Sequence, residues 1–366
     1  MFGSICACKK PFIVLAVLIG LPSAFTTSSE ASTPVFKPDD ENVLWEAMVA
    51  GDRPEWIGDY SQTQYSFYPF ARHNRLKLLK EKLPFTIASN HPKLDGATSA
   101  LPIYAAFVEM FYENLDLPSY ASREEKFYDG FDEKSLSHYF SNSTTSGAYQ
   151  RLIDRECDIF FGLQPSQEQL KMVADKGAKF VMTPIAKDAF VFIINKGNPV
   201  NSLTIPQIQD IYQKNIASWD VVGGEKQRIL PFQRQEGSGS QTAMLAEVMK
   251  GKPLAEPLVE EIPRGMGWMV QQVATYRNYA SAIGYSFFSY VSIMHPDPNI
   301  KFLAINGVEP TPENIRSGAY PFTVDVYAIT TGNESENTKK ILNWLVSEQG
   351  QRFIEGTGYV GISIQK

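Results

Sequence analysis

Residues 189–200 read AFVFIINKGNPV, and residues 282–290 read AIGYSFFSY. Each is an apolar run rich in β-branched and aromatic residues, the pattern of a buried strand rather than of a half-solvated one. The first follows a regular alternation: a helix in AYQRLIDR, a strand in CDIFFG, a helix in QEQLKMVADKG closed by Gly177, and a strand in KFVMTP. Alternation of this kind predicts parallel sheets flanked by helices, the α/β class. The 189–200 run is long enough to leave one lobe for a second, which contains the helical IPQIQDIYQ and the strand ILPF. The 282–290 run then reads as the return crossing, after which FTVDVYAI and the helical KKILNWLVSEQGQRFIEG complete the first lobe. Two crossings make a hinge, and a hinge between two lobes makes a cleft. The expected boundaries are 84–187 plus 285–366 for lobe I and 188–284 for lobe II.

The remainder of the chain lies ahead of this body. MFGSICACKKPFIVLAVLIGLPSA carries Lys9 and Lys10, an apolar stretch from Phe12 to Leu21, and then small residues, the layout of a secretory signal peptide over residues 1–24 or 1–31. An uncleaved anchor is the other reading of that stretch. Residues 25–83 read as an N-terminal extension laid against the body, with helical stretches in ENVLWEAMVAG and ARHNRLKLLKEK, and PFTIAS at 84–89 is read as the first strand. Next comes a helix in LPIYAAFVEMFY, with Ile103, Phe107, Met110 and Phe111 on one face and Pro102 in its first turn.

The 366 residues are 43% hydrophobic and 12% aromatic, enough for a packed interior, and the formal net charge of −6 provides no global attraction for nucleic acid or an anionic membrane. Any anion must be bound by local design. Cys6 and Cys8 precede the apolar leader, so the mature chain keeps Cys157, which cannot form an internal disulfide and is expected to be a buried packing residue. His73, His91, His138 and His295 show no metal-ligand spacing, and neither metal nor cofactor is expected.

Local design for an anion is visible at 233–242, QRQEGSGSQT. A helix opening near Ser240 presents unpaired N–H groups and the positive end of its dipole, and glycines let that backbone approach a ligand. Ser238 and Ser240 add hydroxyls, Arg234 adds a planar fork of donors, and Glu236 is placed to brace Arg234. Two further stretches repeat the theme in the other lobe: DGATSALP at 95–102 puts Thr98 and Ser99 at a helix start, and NSTTSGAYQ at 142–150 does the same with Thr145, Ser146 and Gly147. Three such helix starts and one arginine describe a donor-lined oxyanion site.

Taken with FVFIINKGNPVNSLTIPQIQDIYQKNIASWDVVGG, AIGYSFFSY and the closing GTGYV, these stretches resemble the phosphate-binding proteins of bacterial phosphate ABC importers, which are type II periplasmic solute-binding proteins. The resemblance runs from about Pro84 to the end. It implies phosphate contacts from Thr98 and the Ser99 backbone, from Thr145 and Ser146, and from Arg234, Ser238, Gly239 and Ser240, with Ser240 where the family has threonine. In FFGLQPS, Gln164 stands where the family often has an aspartate; an amide both donates and accepts, so rejection of fully ionised sulfate is not assured. The resemblance also implies a monomer working with a membrane ABC permease, in the periplasm or secreted, and no catalytic step. EGSGS lacks the Gly-x-Ser-x-Gly order of a nucleophile elbow, and GxxxxGK[ST] does not occur, which agrees with a binding protein. The alternative reading is an exported adhesion or sensing protein that uses the same fold with another oxyanion or with none.

Overall fold

The computed structural model describes residues 64, 66–71, 74–117, 133–258, 262–263, 265–275 and 279–362, all within the unit Arg53–Lys366. The leader, ENVLWEAMVAG and the rest of the extension up to residue 63 lie outside the described residues.

The spine of the molecule is one strand. Val181–Asn195 forms a continuous 15-residue strand, so the runs KFVMTP and AFVFIIN, expected to be separate, are joined. Between them IAKD offers no turn chemistry, and Pro184, which lacks an N–H, is accommodated by a register shift between Pro184 and Ala186. In chain order the strands are β1 (Leu94–Gly96), β2 (Ile159–Gly162), β3 (Val181–Asn195), β4 (Ser202–Leu203), β5 (Leu230–Pro231), β6 (Ala282–Phe287), β7 (Ile300–Phe302), β8 (Ala304–Ile305), β9 (Thr323–Thr330) and β10 (Val360–Gly361). The principal sheet has the order β1-β2-β9-β3-β6-β5, with β7 and β10 also on β3, and β4 pairs β8 separately.

Parallel pairing falls where helical connections separate the strands, at β1–β2, β5–β6 and β4–β8. The crossing strands pair antiparallel: β3 with β9 from Val181 to Ala189, then β3 with β6 from Phe190 to Ile194. The change of partner thus occurs between Ala189 and Phe190. From Ala189 to Asn195 every side chain of β3 is buried, which explains the unbroken apolar run in the sequence.

The helices that matter for the site are α1 (Leu101–Phe111), α2 (Thr144–Ile153), α3 (Gln167–Asp175), α4 (Ile205–Tyr212) and α5 (Gly239–Ala243), the last continuing as a π-helix over Met244–Met249. Ser166 and Thr204 close capping boxes with Gln169 and Gln207 at the starts of α3 and α4. The C-terminal helical run is two helices, α6 (Glu336–Leu345) and α7 (Glu348–Gly356), because the Ser347 hydroxyl accepts the Gly350 N–H and restarts the chain there.

Two expectations for the start of the body are corrected. PFTIAS is not a strand: it contributes one bridge, Ile87 to Tyr112, because Asn90 follows in the left-handed region at φ 51° and turns the chain. The described part of ARHNRLKLLKEK is not helical. Its polar groups bond elsewhere: Arg75 donates to the Met294 and Ile293 carbonyls, and Asn74 Nδ2 donates to Glu109 on α1, which also accepts the N–H of Phe70 just ahead of the stretch. Glu81 meets Arg352 through two nitrogens at 2.8 Å, and Phe67, Tyr68 and Leu76 enter the main core. These contacts replace the i to i+4 bonds a helix would have used.

Gly96 is where packing meets function. A Cβ added there would stand 2.4 Å from the Phe161 carbonyl oxygen in β2, two residues ahead of Thr98. Gly96→Ala is expected to force β1 away from β2 and cost about 1–3 kcal/mol, read as a lower midpoint in thermal unfolding. An unchanged midpoint would mean the β1–β2 contact is not as close as described.

Candidate functional site

The three Ser/Thr/Gly stretches come together. Asn142, just ahead of α2, accepts a hydrogen bond from Thr98 Oγ1 at 3.4 Å. At the start of α2, Ser146 Oγ donates to the Gly237 carbonyl at 2.6 Å, across 91 residues of sequence. A Cβ on Gly239 would lie 2.6 Å from Thr145 Oγ1, so only glycine allows the α5 start to touch the α2 start. Gly237, at φ 78°, makes the turn that brings this about. Ser238 caps α5 by accepting the Gln241 N–H at 3.2 Å, and the helix opens at Gly239, one residue before the expected start.

Arg234 is held from its backbone. Its N–H donates to Tyr285 Oη at 2.8 Å and to Gln241 Oε1 at 3.1 Å, which ties the arginine to β6 and to α5. Its Nε and Nη1 are buried and have no hydrogen-bond partner, and the same is true of Ser240 Oγ and Asn142 Nδ2. Loss of water lowers the guanidinium pKa, and the nearby Tyr285 and Tyr290 oppose that shift. A buried donor normally finds an acceptor, and four orphaned donor sites among the expected stretches mark where one is needed. Anion oxygens are strong acceptors for donors of this kind.

Glu236 does not brace Arg234. The chain reverses at Gly237 and leaves Glu236 exposed, and among the described residues no ion pair joins it to Arg234. Ser99 is half-buried and its carbonyl accepts from the Tyr359 hydroxyl. Gln164 is exposed and, with Thr145, Gly239, Thr242 and Asp325, lines a cavity of about 190 Å³ beside the meeting of the helix starts.

Sequence reasoning passed over Asn142 and Asp95. Asp95 is fully buried; its Oδ1 accepts the Gly96 and Ser143 N–H groups at 2.8 Å each, and Oδ2 lies 3.1 Å from Arg151 Nε. Burial raises its pKa, against the bonds from Ser143 and Gly96 and the charge of Arg151. One carboxylate thus fastens the end of β1 to the residue ahead of α2. Cys157 is buried, and burial pushes its thiol pKa far up, away from thiolate chemistry. Among the described residues there is no cluster of His, Cys, Asp and Glu able to hold a metal ion, and no helix is long and apolar enough to cross a membrane.

In an α/β body the starts of α2 and α5 meet, and Arg234, just ahead of α5, keeps two side-chain donors unpartnered. The chain belongs to the PBP superfamily, whose family model, a PBP superfamily domain, matches residues 119–349. It is similar to the phosphate-binding protein PstS of Bacillus subtilis, at 25% identity over 174 residues, covering 47% of this chain and 55% of that protein's length. PstS of Staphylococcus saprophyticus is 25% identical over 238 residues, covering 63% of this chain and 73% of its own. A solved substrate-binding protein assigned to phosphate ABC transport, with bound phosphate, from Clostridium perfringens aligns with a TM-score of 0.55 at 25% identity, covering 75% of this chain and 100% of that one. An ABC-type phosphate transport receptor from Vibrio cholerae shares the fold, with a TM-score of 0.52 at 19% identity, covering 74% of this chain and 99% of that one.

An unpaired buried guanidinium destabilises the anion-free protein. Arg234→Met, similar in length and without donors, is expected to raise the unfolding midpoint of protein stripped of anion, by about 1–3 kcal/mol in stability. A midpoint that falls would show that the guanidinium is already satisfied.

Proposed function

We propose that this chain is an exported solute-binding protein that captures inorganic phosphate between two lobes, 84–187 plus 285–366 and 188–284, and delivers it to a membrane ABC permease. The observation that carries the reading is the set of orphaned donors on Arg234 and Ser240 beside the paired starts of α2 and α5. Relatives named for phosphate binding support the choice of anion.

Arg234 supplies the charge and a planar pair of donors, and Ser240 and the Gly239 backbone supply the first turn of the helix. Thr98, Ser99, Thr145, Ser146 and Ser238 surround the anion from the neighbouring starts, and Gln164 stands at the exposed rim. Each hydrogen bond to a charged group contributes about 1.5–3 kcal/mol. Three or four of them sum to about 4.5–12 kcal/mol, a range that reaches the roughly 8 kcal/mol of a micromolar site only when the bonds are at the strong end or further donors join, because ordering costs must also be met. No chemical step is required: binding energy favours the closed arrangement of the lobes, whose surface a permease distinguishes from the open one. The protein works as a monomer in the periplasm or outside the cell, after removal of its leader.

Calorimetric titration of anion-free protein with phosphate and then sulfate tests this directly. One-to-one binding of phosphate is expected, weakened by 2 kcal/mol or more, about 30-fold, in Arg234→Ala. Unchanged affinity in the variant would place the anion elsewhere, and absence of heat with both anions would remove the phosphate reading.

A further inference from the structure

The cavity of about 190 Å³ lies beside the paired helix starts rather than among the orphaned donors: neither Arg234 nor Ser240 lines it. It begins where those donors end. Thr145 and Gly239, the residues that touch where α2 meets α5, both stand in its wall. From Gly239 that wall follows α5 and its π-helical continuation through Thr242, Ala243, Ala246 and Glu247, at spacings of three and four that keep them on one side of the helix. A glycine and two alanines on this side leave the space open. The facing wall includes Gln164, after β2, and Asp325 and Tyr327 of β9.

The lining carries one sign of charge. Glu247 and Asp325 belong to it, and lysine, arginine and histidine do not. Asp325 is already answered by Lys187 at 3.1 Å and accepts from the Tyr327 hydroxyl at 3.4 Å. Glu247 is half-buried, and its carboxylate has no partner among the described residues. A wall of this kind attracts a cation and repels a second anion. A ligand that suits both the wall and the donors beside it carries an anion at one end and a positive charge at the other.

We propose that the cavity receives the substituent of a phosphate monoester, a chain of two or three carbons ending in an ammonium group, so that the site takes aminoalkyl phosphates as well as the free ion. The inference rests on the phosphate reading above and adds a second ligand class to it.

A monoester keeps three strong acceptor oxygens and most of the charge of phosphate at neutral pH. Arg234 and Ser240 therefore retain acceptors when the fourth oxygen carries carbon, and that oxygen is the one that faces the cavity. Glu247 lies beyond Gly239 by roughly 10–12 Å along the helix axis at about 1.5 Å per residue. Side chains on a helix lean back toward its start, which brings the carboxylate nearer. A short alkyl chain crosses what remains and sets its ammonium against Glu247. A substituent bearing a carboxylate or a second phosphate would instead meet Glu247 and Asp325 and be rejected.

The test is calorimetry on anion-free wild type, Glu247→Gln and Ala246→Phe with inorganic phosphate, 2-aminoethyl phosphate and glycerol phosphate, whose substituent is neutral. Wild type is expected to bind 2-aminoethyl phosphate about tenfold more tightly than glycerol phosphate. Glu247→Gln is expected to abolish that preference, and Ala246→Phe, which fills the cavity, to weaken both esters. Phosphate affinity is expected to stay within about twofold in each variant, which also shows that the variants fold. Equal affinity of wild type for the two esters, a preference that survives Glu247→Gln, or esters untouched by Ala246→Phe would overturn the proposal. Binding of phosphate without binding of either ester defeats only this inference, whereas failure of all three ligands defeats the phosphate reading and this inference with it.

Discussion

A guanidinium cannot lose its water without an acceptor to replace it, and Arg234 meets that constraint with its Nε and Nη1 unpartnered. The surrounding structure serves to hold it there. Tyr285 from β6 and Gln241 from α5 both take the Arg234 N–H, so the arginine is fixed by its main chain while its side-chain donors are kept open. Unpartnered buried donors cost stability, which on the proposed reading an incoming anion would offset.

That arrangement depends in turn on β3. Its change of partner between Ala189 and Phe190 joins the half of the sheet carrying β1, β2 and β9 to the half carrying β5 and β6. The first half supplies Thr98 and the start of α2; the second leads into Arg234 and the start of α5. The glycines at 237 and 239 let the halves touch through Thr145 and Ser146, because any side chain at Gly239 would collide with Thr145.

Much of this was legible in the sequence because it is written in local chemistry. The apolar run at 189–200, the capping residues and the three Ser/Thr/Gly starts each have a short-range cause. What escaped depends on partners far away in the chain. IAKD joins two strands because β9 lies alongside it, and ARHNRLKLLKEK is not helical where described because Glu109 and the carbonyls of Ile293 and Met294 compete for its donors. Glu236 looked like a brace from its spacing, yet the turn at Gly237 carries it outward. Asp95 was silent for the same reason: a lone carboxylate acquires meaning from Ser143 and Arg151 only once the fold has brought them close.

The hydroxyls around Arg234 are not equivalent to it. Ser146 donates to Gly237, Thr98 donates to Asn142, and Ser238 accepts from Gln241. On the proposed phosphate reading, an arriving anion would exchange such neutral bonds, worth about 0.5–1.5 kcal/mol each, for charged ones worth about 1.5–3, so each hydroxyl that turned toward it would yield only the difference. Arg234 and Ser240 have nothing to give up, so on the proposed phosphate reading their full interaction would appear as binding. Affinity would then be concentrated in the α5 side of the site, and the starts of α1 and α2 would contribute chiefly shape, by fixing where a tetrahedral ligand can sit.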